Sequence, residues 1–252
     1  MSSTPSVQIS RFRGLWLRDL TAGRVLPSKR SNITALYVTV VRILQTIRFY
    51  HVRNERYASM VRSLIGSSLQ EGCLIVDMGC GPGGLTALLR GNHRLLGLDK
   101  DREALIHFTE PRVPRIQALA ERLPFLPKSI DVVLAISLVE HIEEQSAFFV
   151  EIARVMRPGG YLVLQLPELR YPIEPHTKWP LLHLWNPAVQ ARILAATGYE
   201  DLNMSTSLPR IQGLAAAAGF QVDRIIALWH FRLARVFRAP MGYFISFRAT
   251  GG

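Results

Sequence analysis

Cysteine is nearly absent: Cys73 and Cys80 are the only two in 252 residues. Two thiols make neither a disulfide framework nor a zinc site by themselves, so a reducing cytoplasm is the expected compartment. Lysine is scarce too, with Lys29, Lys100, Lys128 and Lys178 standing against 26 arginines in a basic total of 30. No apolar run reaches the roughly 18 residues of a membrane span. The nearest, Ile33 to Ile47, is shorter and contains Arg42. The first 30 residues carry scattered arginines and no apolar core, so they do not read as a secretory leader. There is no internal repeat and no low-complexity tract. A hydrophobic fraction of 48% with 19% charge excludes a disordered chain, and the length suits one domain with an insertion.

The net charge of +11 is unevenly placed. Residues 1–66 hold 11 basic and 2 acidic groups, residues 67–219 hold 14 and 16, and residues 220–252 hold 5 and 1. Basicity therefore belongs to the ends. Arginine excess is consistent with phosphate recognition or with a GC-rich genome, and by itself names no partner.

The middle alternates strands and helices. Leu74-Ile75-Val76 is an apolar run ending in Asp77 and a glycine cluster, and Leu95 to Leu98 is a second run ending at Asp99. Leu85 to Arg90 and Arg102 to Phe108 read as helices, and Val113 to Ala118 as a short strand. Asp131 to Ile136 and Tyr161 to Leu166 are buried-type strands. They flank a helix over Glu143 to Met156 that stops at the turn Arg157-Pro158-Gly159-Gly160. Near-continuous apolar strands separated by helices predict a parallel sheet covered on both faces.

A loop-rich stretch follows, with prolines at 167, 172, 175 and 180. Asn186-Pro187 opens a helix that Gly198 closes, and a second helix runs from Pro209 to Ala218. Gln221 to Leu228 and Tyr243 to Arg248 are the last strands. Upstream, Ile33, Leu36, Tyr37, Val40, Leu44 and Ile47 fall at helical spacing, with Arg42 and Arg48 off that stripe. This basic amphipathic helix over 33–50 reads either as a lid packed on the domain or as a contact with an anionic membrane surface or another polyanion. The expected division is a basic extension over 1–58 and a catalytic unit over 59–252, with a lid insertion over about 167–206.

Gly79-Cys80-Gly81-Pro82-Gly83-Gly84 lies between a strand and a helix. Glycines there let backbone approach a ligand, and a helix N-terminus behind them offers free N–H groups. Asp99 follows Gly79 by twenty residues, at the end of what a parallel sheet makes the neighbouring strand. Its carboxylate can accept hydrogen bonds from vicinal ribose hydroxyls, each worth roughly 1.5–3 kcal/mol. The glycine spacing also fits a dinucleotide loop. Asp77 favours another ligand, because a carboxylate there repels a pyrophosphate and attracts an ammonium group. S-adenosylmethionine, with ribose, ammonium and sulfonium and no phosphate, matches; a dinucleotide and a ligand-free turn are the alternatives.

Six motifs in order then resemble class I S-adenosylmethionine-dependent methyltransferases, near the small-molecule group that includes ubiquinone- and menaquinone-type enzymes. They are Val76–Gly83, Gly97-Leu98-Asp99, Ala120–Phe125, Ile130–Val133, Leu138-Val139-Glu140-His141 and Arg157–Tyr161. The resemblance implies an α/β, Rossmann-like doubly wound sheet of seven strands with the last antiparallel and helices on both faces. It implies that Asp77, Gly79, Cys80 and Gly81 line the methionine end of S-adenosylmethionine. Asp99 would hold the ribose, Leu98 or Lys100 would flank the adenine, and Ala120 and Glu121 would form the adenine turn. Ser137 would stand at the reactive side. Leu119 occupies a position where the family often has an acid, so backbone groups or Glu121 would hold the adenine amino group.

Methyl transfer needs a positioned nucleophile and, for an acidic one, a base. The candidates are His141, His176 and Glu174, with Glu140 and Glu168 nearby. Tyr171, Trp179, His183 and Trp185 in the insertion suit either an aromatic lid over an apolar acceptor or a small satellite core. No metal site is expected. The sequence lacks the Pro-Pro-aromatic motif of base-amino methyltransferases and a cleft cysteine for pyrimidine carbon. The expected activity is methylation of oxygen or carbon on a small-molecule or lipid-linked acceptor. An RNA or protein acceptor gripped by the basic ends, and a non-catalytic binding module, are the alternatives; nucleic acid is the less favoured partner.

Overall fold

The computed structural model describes residues 52–66, 71–177, 179–229 and 240–250. The basic helix expected over 33–50 lies outside them, with most of the 1–58 extension. A first helix, α1, spans 52–65. Ala58, Val61, Leu64 and Ile65 are all buried on one of its faces, and Tyr57 meets Phe244 edge-on at 5.0 Å. The boundary drawn at residue 58 therefore falls inside a helix that is packed onto the sheet.

Seven strands follow: β1 Leu74–Met78, β2 Arg94–Asp99, β3 Arg115–Gln117, β4 Ile130–Ile136, β5 Met156–Pro167, β6 Phe220–Leu228 and β7 Gly242–Ala249. Among the described residues, four α-helices join them: α2 Arg102–Ile106, α3 Gln145–Val155, α4 Pro187–Thr197 and α5 Leu208–Ala217. The sheet order is β3-β2-β1-β4-β5-β7-β6. Only β7 runs against the others, pairing antiparallel with both β5 and β6. This is the doubly wound sheet that the motifs implied.

Strand pleating divides the core in two. Val76, Met78, Val133, Ala135, Leu162 and Leu164 join Phe148, Phe149 and Ile152 of α3 and Ile211 of α5 in one cluster. Ile75, Val132, Leu134 and Val163 join Ala58, Val61 and Ile65 of α1 in the other. Burying each such side chain contributes roughly 1.5–3 kcal/mol. Strand order reverses at β1, which pairs with β2 on one side and β4 on the other. Ligands in such sheets bind at the carboxyl ends of the strands beside that reversal.

Two local expectations change. The segment after the glycine loop is not an α-helix but a four-residue 3-10 turn, Thr86–Leu89, so little helix dipole stands behind the loop. The Arg157–Gly160 turn is absorbed into β5 as an excursion. Register jumps from Ile130 opposite Met156 to Val132 opposite Tyr161, with Gly159 at φ 77°. The insertion carries α4, capped by the Asn186 side chain accepting from Ala188 N–H and closed by Gly198 at φ 80°. Leu169, Leu182, Leu194 and Leu202 form a small core of its own beneath it.

Candidate functional site

The glycine loop leaves β1 and is pinned to β2. Gly79 and Cys80 both donate their N–H to the Leu98 carbonyl, at 2.8 and 3.1 Å. Gly81 N–H donates to Oδ2 of Asp99 at 2.8 Å, and Asp101 N–H to Oδ1 at 2.8 Å. Asp99 thus orders the loop while each of its oxygens keeps a second lone pair for a ligand. Gly79 sits at φ 66°, and a Cβ there would meet Leu138 Cδ1 at 2.9 Å. Gly81, at φ 52°, faces open space.

Two cavities open on this loop. The first, about 720 Å³, is lined by Asp99, Lys100, Ala120, Glu121, Ser137 and His141 among others, with Tyr199 and Asp201 reaching in from the insertion. The second, about 450 Å³, is lined by Arg53, Asn54 and Tyr57 of α1 and by Asp77, Cys80 and Gly81. Gly79 and Ser137 border both. All nine residues expected to hold a cofactor therefore line these two adjoining cavities, which share Gly79 and Ser137. Ser137, where the chambers meet, has φ 53°, a backbone strain that clusters at functional sites. Its hydroxyl donates to Gln165 Oε1.

Asp77 is buried and accepts from the Thr86 hydroxyl at 2.5 Å. Burial is the main reason its carboxyl is pushed up to about 6; Asp99 adds to the rise and Thr86 opposes it. Cys80 is inert at neutral pH, since burial first, then Asp77 and Asp99, push its thiol far up.

Beyond the end of β4 lies a carboxylate and imidazole cluster. Glu174 is fully buried and accepts from the backbone N–H groups of His176 and Thr177. Nδ1 of His176 lies 2.8 Å from Glu174 Oε1, and its Nε2 stands 3.7 Å from Glu140 Oε1, an ion-pair distance rather than a hydrogen bond. Burial alone would lower the His176 pKa, but the carboxylates of Glu140 and Glu174 override it and raise it to about 9. Burial alone would raise the Glu174 pKa, but the His176 ring and the two N–H groups hold it near 2. His141 Nδ1 lies 3.1 Å from Asp201 Oδ1, and the His141 and His176 rings meet edge-on at 5.3 Å.

Of the three candidates for chemistry, only His141 reaches the cleft. Glu174 and His176 stand behind it, tying the 174–177 turn in place. Of the insertion's aromatics, Trp179 and Trp185 are 40% and 45% exposed and line neither chamber, and the insertion has the small core that was the other reading. The insertion contributes Thr197, Gly198, Tyr199 and Asp201 instead. Sequence reasoning missed these, and missed Arg53, Asn54 and Tyr57. The signal for the α1 group was an amphipathic pattern on both sides of residue 58.

A doubly wound seven-stranded sheet with a glycine loop after β1 and an acid after β2 defines the class I S-adenosylmethionine-dependent methyltransferase fold. Residues 76–164 match the family described as Methyltransferase domain. A probable S-adenosylmethionine-dependent methyltransferase of Mycolicibacterium smegmatis is 31% identical over 161 residues, 62% of this chain and 55% of that protein. A fatty-acid O-methyltransferase of the same organism is 33% identical over 111 residues, 41% of this chain and 40% of that protein. The chain spans about half the length of the curated relatives it matches. The crystal structure of an S-adenosylmethionine-dependent methyltransferase from Mesorhizobium loti superposes with a TM-score of 0.58 at 18% identity, over 73% of this chain and 95% of that one. Residues 76–164 thus match the methyltransferase-domain family, and the fold around them is that of the S-adenosylmethionine-dependent methyltransferases. Among the described residues no helix is long and apolar enough to cross a membrane.

Proposed function

We propose that this chain transfers the methyl group of S-adenosylmethionine to an oxygen or carbon atom of a small-molecule or lipid-linked acceptor. The observation that carries the reading is the joined cleft, with a ribose-type acid, Asp99, in one chamber and an ammonium-type acid, Asp77, in the other. The adenosine would lie against Asp99, Lys100, Ala120 and Glu121. The methionine would lie against Asp77, Gly79, Cys80 and Gly81, with Arg53 near its carboxylate. The sulfonium would then fall at Ser137, where the chambers meet.

The acceptor would enter on the His141 side. The S–CH₃ bond breaks as the new bond to the acceptor forms in line, any proton on the acceptor's reacting atom passes to solvent, and S-adenosylhomocysteine is left. The chain's contribution is to hold the two reactants in line and exclude water. Glu174 and His176 act as positioning residues for that wall. The named activities of the relatives, a fatty-acid O-methyltransferase among them, support an oxygen acceptor.

An acceptor screen with methyl-labelled S-adenosylmethionine tests the proposal. Label should pass to a hydroxy- or carboxy-bearing small molecule or lipid, and should not pass with Asp99→Ala. Transfer to RNA or protein only would reject it.

A further inference from the structure

Glu140 is the one acid of the cluster without a hydrogen bond, facing only His176 Nε2 at the ion-pair distance of 3.7 Å. It is fully buried, and neither carboxylate oxygen has a hydrogen-bond partner in the protein. A carboxyl group buried without a hydrogen bond is unfavourable, and a cation seated against it would relieve that. Two imidazoles surround it. One ligand-capable atom from each of Glu140, His141 and His176 lies within 4.8 Å of the others.

Both rings are oriented the same way. His176 turns Nδ1 to Glu174, and His141 turns Nδ1 to Asp201. Each ring's remaining nitrogen is Nε2. A carboxylate on the far nitrogen is the usual support of a metal-bound histidine, fixing its tautomer and raising its basicity. The 3.7 Å between His176 Nε2 and Glu140 Oε1 is close to the about 3.4 Å edge of a tetrahedral site with 2.1 Å bonds.

We infer that Glu140, His141 and His176 form a site for a divalent first-row transition ion, set in the wall of the cleft on the acceptor side. Two imidazoles and a carboxylate suit Zn²⁺ or Co²⁺ better than Mg²⁺ or Ca²⁺, which prefer oxygen. Three protein ligands leave a position open for an oxygen of the acceptor. The binding site stands on its own geometry; only its use on the acceptor rests on the methyl-transfer reading. In that use the ion stabilises the acceptor's oxyanion, and His141 serves as a ligand rather than as the base its position in the sequence suggested.

The test uses the tag-free full chain, stripped with chelator and titrated with Co²⁺ by calorimetry and visible absorption, then with Zn²⁺ in competition. One equivalent should bind, with a ligand-field spectrum, and Zn²⁺ should displace it. His141→Asn and Glu140→Gln should each weaken binding tenfold or more, and Asp201→Asn about tenfold through the ring it orients. His141 is only partly buried, so its variant should unfold at the wild-type temperature without metal even if Glu140→Gln fails to fold. No saturable binding, or binding that His141→Asn leaves unchanged, would overturn the site. S-adenosylmethionine titrated into the stripped chain separates the two readings, because cofactor binding without metal binding defeats this inference alone.

Discussion

The backbone N–H of Gly81 donates to Oδ2 of Asp99 at 2.8 Å, joining the loop after β1 to the end of β2. The acid that would hold the ribose is thus also the acid that shapes the loop beside it. Removing it should disturb both walls of the cleft, whereas removing groups in the second chamber should disturb one.

Asp77 predicts a pH dependence. Its folded-state pKa of about 6 lies above the ordinary 3.8, so between about pH 4 and 6 the folded chain holds a proton that the unfolded chain has released. Stability should fall as pH rises through that window, by up to about 1.4 kcal/mol per unit. The Asp77→Asn variant should lose that slope, measured as the difference between the two chains in thermal unfolding. An ammonium group in the second chamber favours the carboxylate, so S-adenosylmethionine affinity should fall as pH drops below about 6 in the wild type and not in the variant.

Arg53 gives a prediction about which end of the cofactor lies where. It lines the second chamber beside Tyr57. Arg53→Ala should weaken S-adenosylmethionine about tenfold, the loss of one hydrogen bond between charged groups. Methylthioadenosine, which lacks the amino-acid end, should bind both chains equally in calorimetry. Equal losses for the two ligands would place the amino-acid end elsewhere.

Gly79→Ala tests the loop's backbone. At φ 66° an alanine costs about 1–2 kcal/mol, and its methyl would press on Leu138 where the chambers meet. Chemical denaturation should show that loss, and cofactor affinity should fall with it. A variant as stable as the wild type would mean the loop relaxes.

The sheet and most of the lining of the two cavities were legible because they rest on local signals. Apolar runs marked β1, β2, β4 and β5, and Asp77, the glycines and Asp99 follow them at set distances in the chain. The Asn186 cap and the Gly198 stop were legible for the same reason. The His141 side was not. Asp201 meets His141 across 60 residues and His176 meets Glu140 across 36, pairings that only the packed insertion brings about. The tryptophans misled because aromatic content says nothing about which face of a loop is covered. The helix after the glycine loop was overread because Thr86–Leu89 has helical composition but is cut short at Arg90 and Gly91 before a full turn of α-helix forms.

Calorimetric titration of the wild type and Asp99→Ala with S-adenosylhomocysteine tests the central claim most directly, with NADH as the competing ligand. The account predicts one site in the wild type, a loss of tenfold or more in the variant, and no displacement by NADH. Undiminished affinity in Asp99→Ala, or displacement by NADH, would contradict it.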